Sequence, residues 1–276
     1  MAIALGAGLP ARAGDAGSAS ASLEPKGASN DRKILESWGT KEPEPLPFDD
    51  HAGYQSLFDG KTLEGWDGDP SIWRVEDGAI VGESTPERPV GNSYISYRRS
   101  RPNDFDLKLE IKVERGGGSG IQYRSQTGLP WRRAKPAGPP INLNWMMTGP
   151  QADFWFPVSP LFSSFTGQFY SENTPLGILA WRGQVVLSAT GSKPRLVAKI
   201  GDRDSLGGHV RTNDWNEYLI LARGGTFIHV INGQLMAVYL DDDPSSTNNQ
   251  QGYIGIEIEG VPTRVSVRNI WLRELK

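Results

Sequence analysis

The chain has 276 residues, 29 basic against 32 acidic side chains for a formal charge of -3, no cysteine, 33 glycines and nine tryptophans. That length suits one large β-domain with a full core. Near-balanced charge without a long basic block excludes the electrostatic footprint of a nucleic-acid or anionic-membrane partner, and the lack of cysteine excludes disulfides, thiolate metal sites and cysteine nucleophiles. No apolar run approaches the roughly 20 residues that span a bilayer, so no membrane insertion is predicted.

Residues 1 to about 30 are rich in Ala, Gly and Ser and have little to bury. Ala11-Arg12-Ala13 has the small-residue form of a signal-peptide cleavage site, although the apolar stretch before it is short and without Lys or Arg; a clipped export signal and a plain disordered tail are the alternatives. DRKILESW predicts two helical turns at 31–38, capped by Asn30 or Asp31. The Pro-rich KEPEPLPF, 41–48, predicts an extended linker. Residues 1–47 are thereby set apart from a folded domain at 48–276.

From there the chain reads as strands and turns. Asp77-Gly78 and Asn232-Gly233 predict hairpins, and Arg182-Gly183 within GILAWRGQVVLSA predicts another. SYISY, 93–97, and FDLKLEIKVE, 105–114, are strands; in the second, Phe105, Leu107, Leu109, Ile111 and Val113 face inward while Asp106, Lys108, Glu110, Lys112 and Glu114 face out. In SGIQYR, with Ile121 and Tyr123 inward, Gln122 and Arg124 share the opposite face. A long loop at 125–140 carries the basic cluster Trp131-Arg132-Arg133. Asp202 with Asp204, and Asp241-Asp242-Asp243, have the residue type of a calcium site, but turns need Asp as well, and the turn reading is preferred. His229 is predicted to have an ordinary surface or rim role.

The segment from Gly149 to Glu172 is organised differently. As extended chain, Gln151, Asp153 and Trp155 share one face, as do Gln168, Tyr170 and Glu172, and the whole stretch contains no Lys. Amides, carboxylates and aromatic rings together suit a sugar. In GYIGIEIEG, Ile254, Ile256 and Ile258 take one face and Glu257 and Glu259 the other, two carboxylates roughly 7 Å apart whose repulsion perturbs their titration. A slip of the inward phase from Val265 and Val267 to Ile270 and Leu272 predicts a β-bulge near Arg268 and Asn269.

LFDGKTLEGW, WRVEDGAIVGE, DFDLKLEIKV, SGIQYR, GPQADF, TGQFYSE, DWNEYLILARGG, INGQL, GYIGIEIEG and VSVRNIWLREL, in this order from about residue 53 to the C-terminus, resemble the bacterial 3-keto-disaccharide hydrolase family. The resemblance implies an all-β, concanavalin A-like jelly-roll sandwich of two antiparallel sheets, one curved into a groove, an extracytoplasmic location, and action on glycosides oxidised at carbon 3. Gln151-Ala152-Asp153 and the Tyr-x-Glu of Tyr170 and Glu172 keep the family pattern. Gly118-Ser119-Gly120 stands where the family usually has Asn-Ser-Gly, and Glu257-Ile258-Glu259 where it usually has Gln-x-His.

The candidate catalytic groups are therefore Asp153 or Glu172 as base and Glu257 or Glu259 as acid, with Arg124 and Gln151 holding the ketone oxygen and Gln122, Trp155, Gln168 and Tyr170 completing the sugar site. No cofactor is predicted, and a divalent metal is left open. The expected partner is a saccharide or 3-keto glycoside. An ordinary glycosidase, a non-catalytic carbohydrate-binding module and a purely structural jelly roll are the competing readings.

Overall fold

The computed structural model describes residues 28–41, 43–130, 142–260 and 262–275. The chain divides into two units, Met1–Pro47 and Phe48–Lys276. Among its described residues the first carries the helix α1 (Ala28–Ser37).

The second unit is built from short strands. In chain order they are β1 (Gln55–Ser56), β2 (Trp66–Gly68), β3 (Trp73–Glu76), β4 (Ala79–Ser84), β5 (Asn92–Tyr97), β6 (Phe105–Glu114), β7 (Gly118–Thr127) and β8 (Met147–Trp155). A single turn of helix, α2 (Pro160–Ser163), precedes β9 (Phe169–Glu172), β10 (Gly177–Ala180), β11 (Gln184–Ser188) and β12 (Arg195–Lys199). After the short α3 (Arg203–Gly207) come β13 (Asn216–Arg223), β14 (Thr226–Ile231), β15 (Gln234–Asp241), β16 (Tyr253–Glu259) and β17 (Thr263–Glu274).

They form an all-β jelly-roll sandwich. One sheet has ten strands, in the order β12-β11-β15-β14-β13-β6-β17-β4-β3 with β1 added to β17; the other has seven, β10-β9-β8-β7-β16-β5-β2. Neighbours are antiparallel except β11 and β15. The inward faces meet in one core. Leu107, Leu109 and Ile111 of β6 and Val265 and Val267 of β17 come from the larger sheet, and Ile121, Ala152, Ile254, Ile256 and Ile258 from the smaller. With that face of the seven-stranded sheet committed to the core, the residues between them are left for its other face.

Two hairpins form where positive φ was called for, at Asp77-Gly78 (49° and 75°) between β3 and β4 and at Asn232-Gly233 (50° and 76°) between β14 and β15. The bulge in β17 lies between Arg268 and Trp271, with Asn269 at φ 51°. Arg182-Gly183 does not make a hairpin. β10 lies in the seven-stranded sheet and β11 in the ten-stranded one, so the turn is a crossing between layers. Arg182 anchors that crossing: its guanidinium is buried and donates to the carbonyls of Ser163, Thr166 and Arg203.

The outward face of β6 also differs from expectation. Asp106 and Lys108 are buried: Asp106 is bonded to Arg223 and Arg273, and the segment from Phe48 onward meets Lys108, whose Nζ donates to the carbonyls of Phe48 at 3.0 Å and Asp50 at 2.7 Å. Asp202 is the N-cap of α3, accepting from the amides of Asp204 and Ser205. The buried Asp241 accepts from Ser246 Oγ at 2.6 Å. Both therefore serve turns. The Trp131-Arg132-Arg133 cluster and Ala11-Arg12-Ala13 lie outside the described residues.

Candidate functional site

The outer face of the seven-stranded sheet holds a cavity of about 300 Å³, lined by Asn92, Gln151, Asp153, Trp155, Phe165, Gln168, Tyr170, Glu172, Ile178 and Glu259. Register explains the gathering. Gln151 on β8 opposes Tyr170 on β9, Gly120 on β7 opposes both Asp153 and Glu257, and Glu259 on β16 opposes Asn92 on β5. β9 and β5, the outer strands of this set, are four positions apart in the sheet, and Glu172 from the one and Asn92 from the other line the same cavity.

One amide organises the floor. Gln151 Nε2 donates to Asp153 Oδ1 at 2.7 Å and to Glu257 Oε2 at 2.6 Å, which uses both of its hydrogens. Its Oε1 accepts from Gln122, whose own Oε1 accepts from Ser125 Oγ at 2.6 Å. Asn92 Nδ2 donates to the other Glu257 oxygen at 2.8 Å, and Gln168 Nε2 to Asp153 Oδ2. Gly120 makes room for the bridge, since a Cβ there would stand 2.3 Å from Gln151 Nε2. Asp153 and Glu257 are almost fully buried, and among the described residues neither forms an ion pair. Burial pushes the Asp153 carboxyl well above the ordinary range, with the nearby Glu257 adding to the effect, and burial likewise raises Glu257.

Support comes from the core side. His229 is buried, with Nδ1 3.1 Å from the Gln168 carbonyl and Nε2 2.8 Å from the Tyr123 hydroxyl. A carbonyl only accepts, so Nδ1 carries the proton and Nε2 accepts from Tyr123. Burial lowers this imidazole to about 4, so it is neutral and holds Gln168 in place. The expected surface or rim role is thus corrected. Alternation along β14 turns His229 inward, between Phe169 and Tyr218.

The 3-keto-alpha-glucoside-1,2-lyase-like domain family matches residues 53–273. The chain belongs to that family. A 3-keto-disaccharide hydrolase of Bacteroides thetaiotaomicron is 40% identical over 88 residues, which span 29% of this chain and 30% of the relative. A candidate glycosyl hydrolase from Parabacteroides distasonis is similar in structure at 18% identity and TM-score 0.49, over 85% of this chain and 100% of that one. A Bacillus subtilis protein of unknown function with a galectin-like fold follows at 12% identity and TM-score 0.47, over 77% and 90%.

In this lyase-like domain the ten residues singled out from sequence fall at different depths. Asp153, Glu172, Glu259, Gln151, Trp155, Gln168 and Tyr170 line the cavity. Glu257 and Gln122 lie beneath the lining, bonded to Gln151. Arg124 does not belong to the site. A register shift in β7 between Gln122 and Gln126 and a φ of 48° swing its side chain away, and the buried guanidinium donates to the carbonyls of Asn103, Gly224 and Asn248 and to Asp104 Oδ1 at 2.9 Å. It stacks over Phe227. Gln151, with both hydrogens committed to carboxylates, is likewise corrected from ketone holder to bridge. Trp155 lines the cavity by its edge. A Cβ on Gly118 would stand 2.5 Å from its ring-fusion atom Cε2, so the strand covers one indole face, and Phe162 stacks on the other at 5.2 Å and 13°.

Asn92 and Tyr94 escaped the sequence reading. Both lie on SYISY and its preceding residue, where the alternation marks a strand; no motif says that this strand borders the carboxylates. Among the described residues no group of three His, Cys, Asp or Glu is placed to hold a metal ion.

Proposed function

We propose that the protein cleaves glycosides whose sugar carries a ketone at C3, by elimination followed by water addition, in the cavity of the seven-stranded sheet. The ketone acidifies the C2 hydrogen. A base removes it, and the electron pair passes into C2–C3 to give an enolate. Collapse of the enolate forms C1=C2 as the C1–O bond to the leaving group breaks, and an acid protonates the departing oxygen. Water then adds, hydroxyl to C1 and hydrogen to C2, so the sum is hydrolysis.

In this reading Asp153 is the acid, since burial makes it keep its proton to higher pH than an ordinary aspartate, and Glu172, which lines the same cavity, is the base. Glu257 works from behind the lining, and Glu259 completes the polar wall. The observation that supports the proposal most directly is the buried Asp153–Gln151–Glu257 bridge: two carboxylates joined by one amide, with no ion pair among the described residues, a setting that favours the protonated form. A lectin-like module would offer an open ring face to a sugar, and both faces of Trp155 are taken. Export from the cytoplasm is part of the proposal, motivated by the Ala-, Gly- and Ser-rich N-terminal residues; fractionation of cells expressing the chain tests it.

The deciding experiment is proton NMR in deuterated buffer with methyl 3-keto-α-glucopyranoside, run beside methyl α-glucopyranoside. Cleavage of the keto sugar alone, with deuterium entering at C2 faster than in the enzyme-free blank, is expected. Cleavage of both sugars without deuterium would replace elimination by ordinary glycoside hydrolysis.

A further inference from the structure

Tyr94 directly opposes Glu257 in the register of β5 and β16, on the face that carries the cavity. Its side chain is wholly buried and packs with Met146 and Met147, and its hydroxyl is in reach of the Glu257 carboxylate, whose proton affinity it lowers as a donor, without the geometry of a fully formed hydrogen bond. A buried hydroxyl needs an acceptor, and the carboxylate opposite is the one at hand. The groups facing it are carboxylates: Glu257 and Glu259 on β16 and Glu172 from β9. Towards a carboxylate a phenol acts as a donor, and burial with these three acidic neighbours keeps its proton in place.

The position of that donor bears on the bridged pair. Asp153 accepts from two amides, Gln151 and Gln168; Glu257 also accepts from two, Gln151 and Asn92. The phenols of Tyr123 and Tyr218 lie on the core side of the sheet, bonded to His229 and to the Asp153 main-chain carbonyl, and are both raised far above the usual range by burial and stay neutral. On amides alone the two carboxylates are evenly matched, so the count of amide donors does not decide which of the two keeps a proton. Tyr94 is the extra donor, and it stands on the side of Glu257.

We propose that Tyr94 is a positioning residue that settles this pair: its O–H turns onto ionised Glu257, the negative charge stays there, and the proton stays on Asp153, the carboxyl that faces the cavity. The role rests on the reading of Asp153 as the acid of the keto-glycoside reaction. Tyr94 touches no substrate and takes part in no bond-making step. It decides which of two carboxyls arrives protonated.

The test is carboxyl-carbon NMR titration of the full chain labelled in Asp and Glu, wild type against Tyr94→Phe, with Asp153→Asn and Glu257→Gln used to assign the two signals. In the wild type, Glu257 is expected to ionise at lower pH than Asp153. In Tyr94→Phe the Glu257 midpoint should rise by about one to two pH units, the size of one hydrogen bond to a charged group. The basic limb of the kcat/KM profile should move to lower pH as Asp153 ionises earlier, with KM little changed. Unmoved midpoints would overturn the proposal. Should Tyr94→Phe fail to give a folded spectrum, 3,5-difluorotyrosine at position 94, a stronger donor, must move the Glu257 midpoint downward, and no movement overturns the role equally. Shifted midpoints in a protein that turns over no keto sugar would sink the reaction and leave Tyr94's control of the pair standing; turnover with unshifted midpoints would do the reverse.

Discussion

Asp106 and Asp153 are buried to nearly the same degree, 1% and 3% exposed, and have opposite surroundings. Asp106, on the outer face of the ten-stranded sheet, is held by two guanidinium groups, Arg223 at 2.8 Å and Arg273. Its neighbour Lys108 points into carbonyls and lies 4.7 Å from the Tyr54 ring centre. Asp153, on the outer face of the seven-stranded sheet, has two amides and, among the described residues, no ion pair. A buried carboxylate matched by opposite charge is tied to its partners by charge-assisted bonds, whereas one matched by amides alone is pushed towards its protonated form. The first arrangement ties β13 and β17 to β6, with Lys108 beside it holding the segment after Phe48, and the second puts a carboxyl with raised proton affinity at the cavity.

The comparison is broken most directly by neutralising each carboxylate in turn. Asp153→Asn is expected to lower kcat on a 3-keto glucoside by about 10²–10⁴-fold, the usual worth of one acid–base group, with melting temperature kept or raised. Asp106→Asn should leave kcat unchanged and cost about 1.5–3 kcal/mol of stability through the lost charge-assisted bonds. Steady-state kinetics and denaturant melts on both variants check this. A stable, inactive Asp106→Asn together with an unstable, active Asp153→Asn would reverse the assignment of structural and working charge.

A pH titration sharpens it. His229 falls from 6.5 unfolded to about 4 folded, so between those values the unfolded chain binds more protons. Its contribution, about 3 kcal/mol, is complete above pH 6.5 and lost as pH falls towards 4. Asp153 has the opposite sign: with its folded value raised, stability is greatest below the ordinary Asp range and declines as pH rises through the folded value. Thermal melts from pH 4 to 8 should therefore show a wild-type advantage over His229→Gln that shrinks on the acid side, while Asp153→Asn flattens the loss on the alkaline side. A constant gap between wild type and His229→Gln would mean that the imidazole is not buried neutral.

Much of this arrangement was legible in residue order because period-two alternation assigns faces independently of everything else. Ile254, Ile256 and Ile258 went to the core, and Glu257 and Glu259 to the other side, as alternation requires. Asp77-Gly78 and Asn232-Gly233 turn because those residues tolerate positive φ. Arg124 misled because a bulge with a left-handed non-glycine residue interrupts the alternation in β7, and no local signal marks it. The turn at Arg182-Gly183 was visible, but a turn does not say whether its two strands stay in one sheet. Lys108 looked exposed because its cover, around Phe48 and Asp50, comes from some 60 residues away, and Asp106 because its partners Arg223 and Arg273 lie farther still along the chain. Tyr94 and His229 acquire their meaning only from partners on other strands.

The smallest expected effect concerns the apolar wall, where the carboxylates are untouched. Gly118 has no positive φ, so a side chain there strains no backbone; the difficulty is steric, a Cβ 2.5 Å from Trp155 Cε2. The indole cannot retreat freely, because Phe162 covers its other face and Phe165 meets it edge-on at 5.4 Å. Gly118→Ala should therefore push Trp155 and α2 outward together, at about 1–3 kcal/mol as for other overpacked sites. Since Phe165 also lines the cavity, KM should rise with kcat nearly kept, and the tryptophan emission should shift as the ring becomes wetter. A fall in kcat at constant KM would instead mean that displacement of Trp155 reaches Asp153, two residues earlier on the same strand face, and that the aromatic wall and the proton-holding bridge are one mechanical unit.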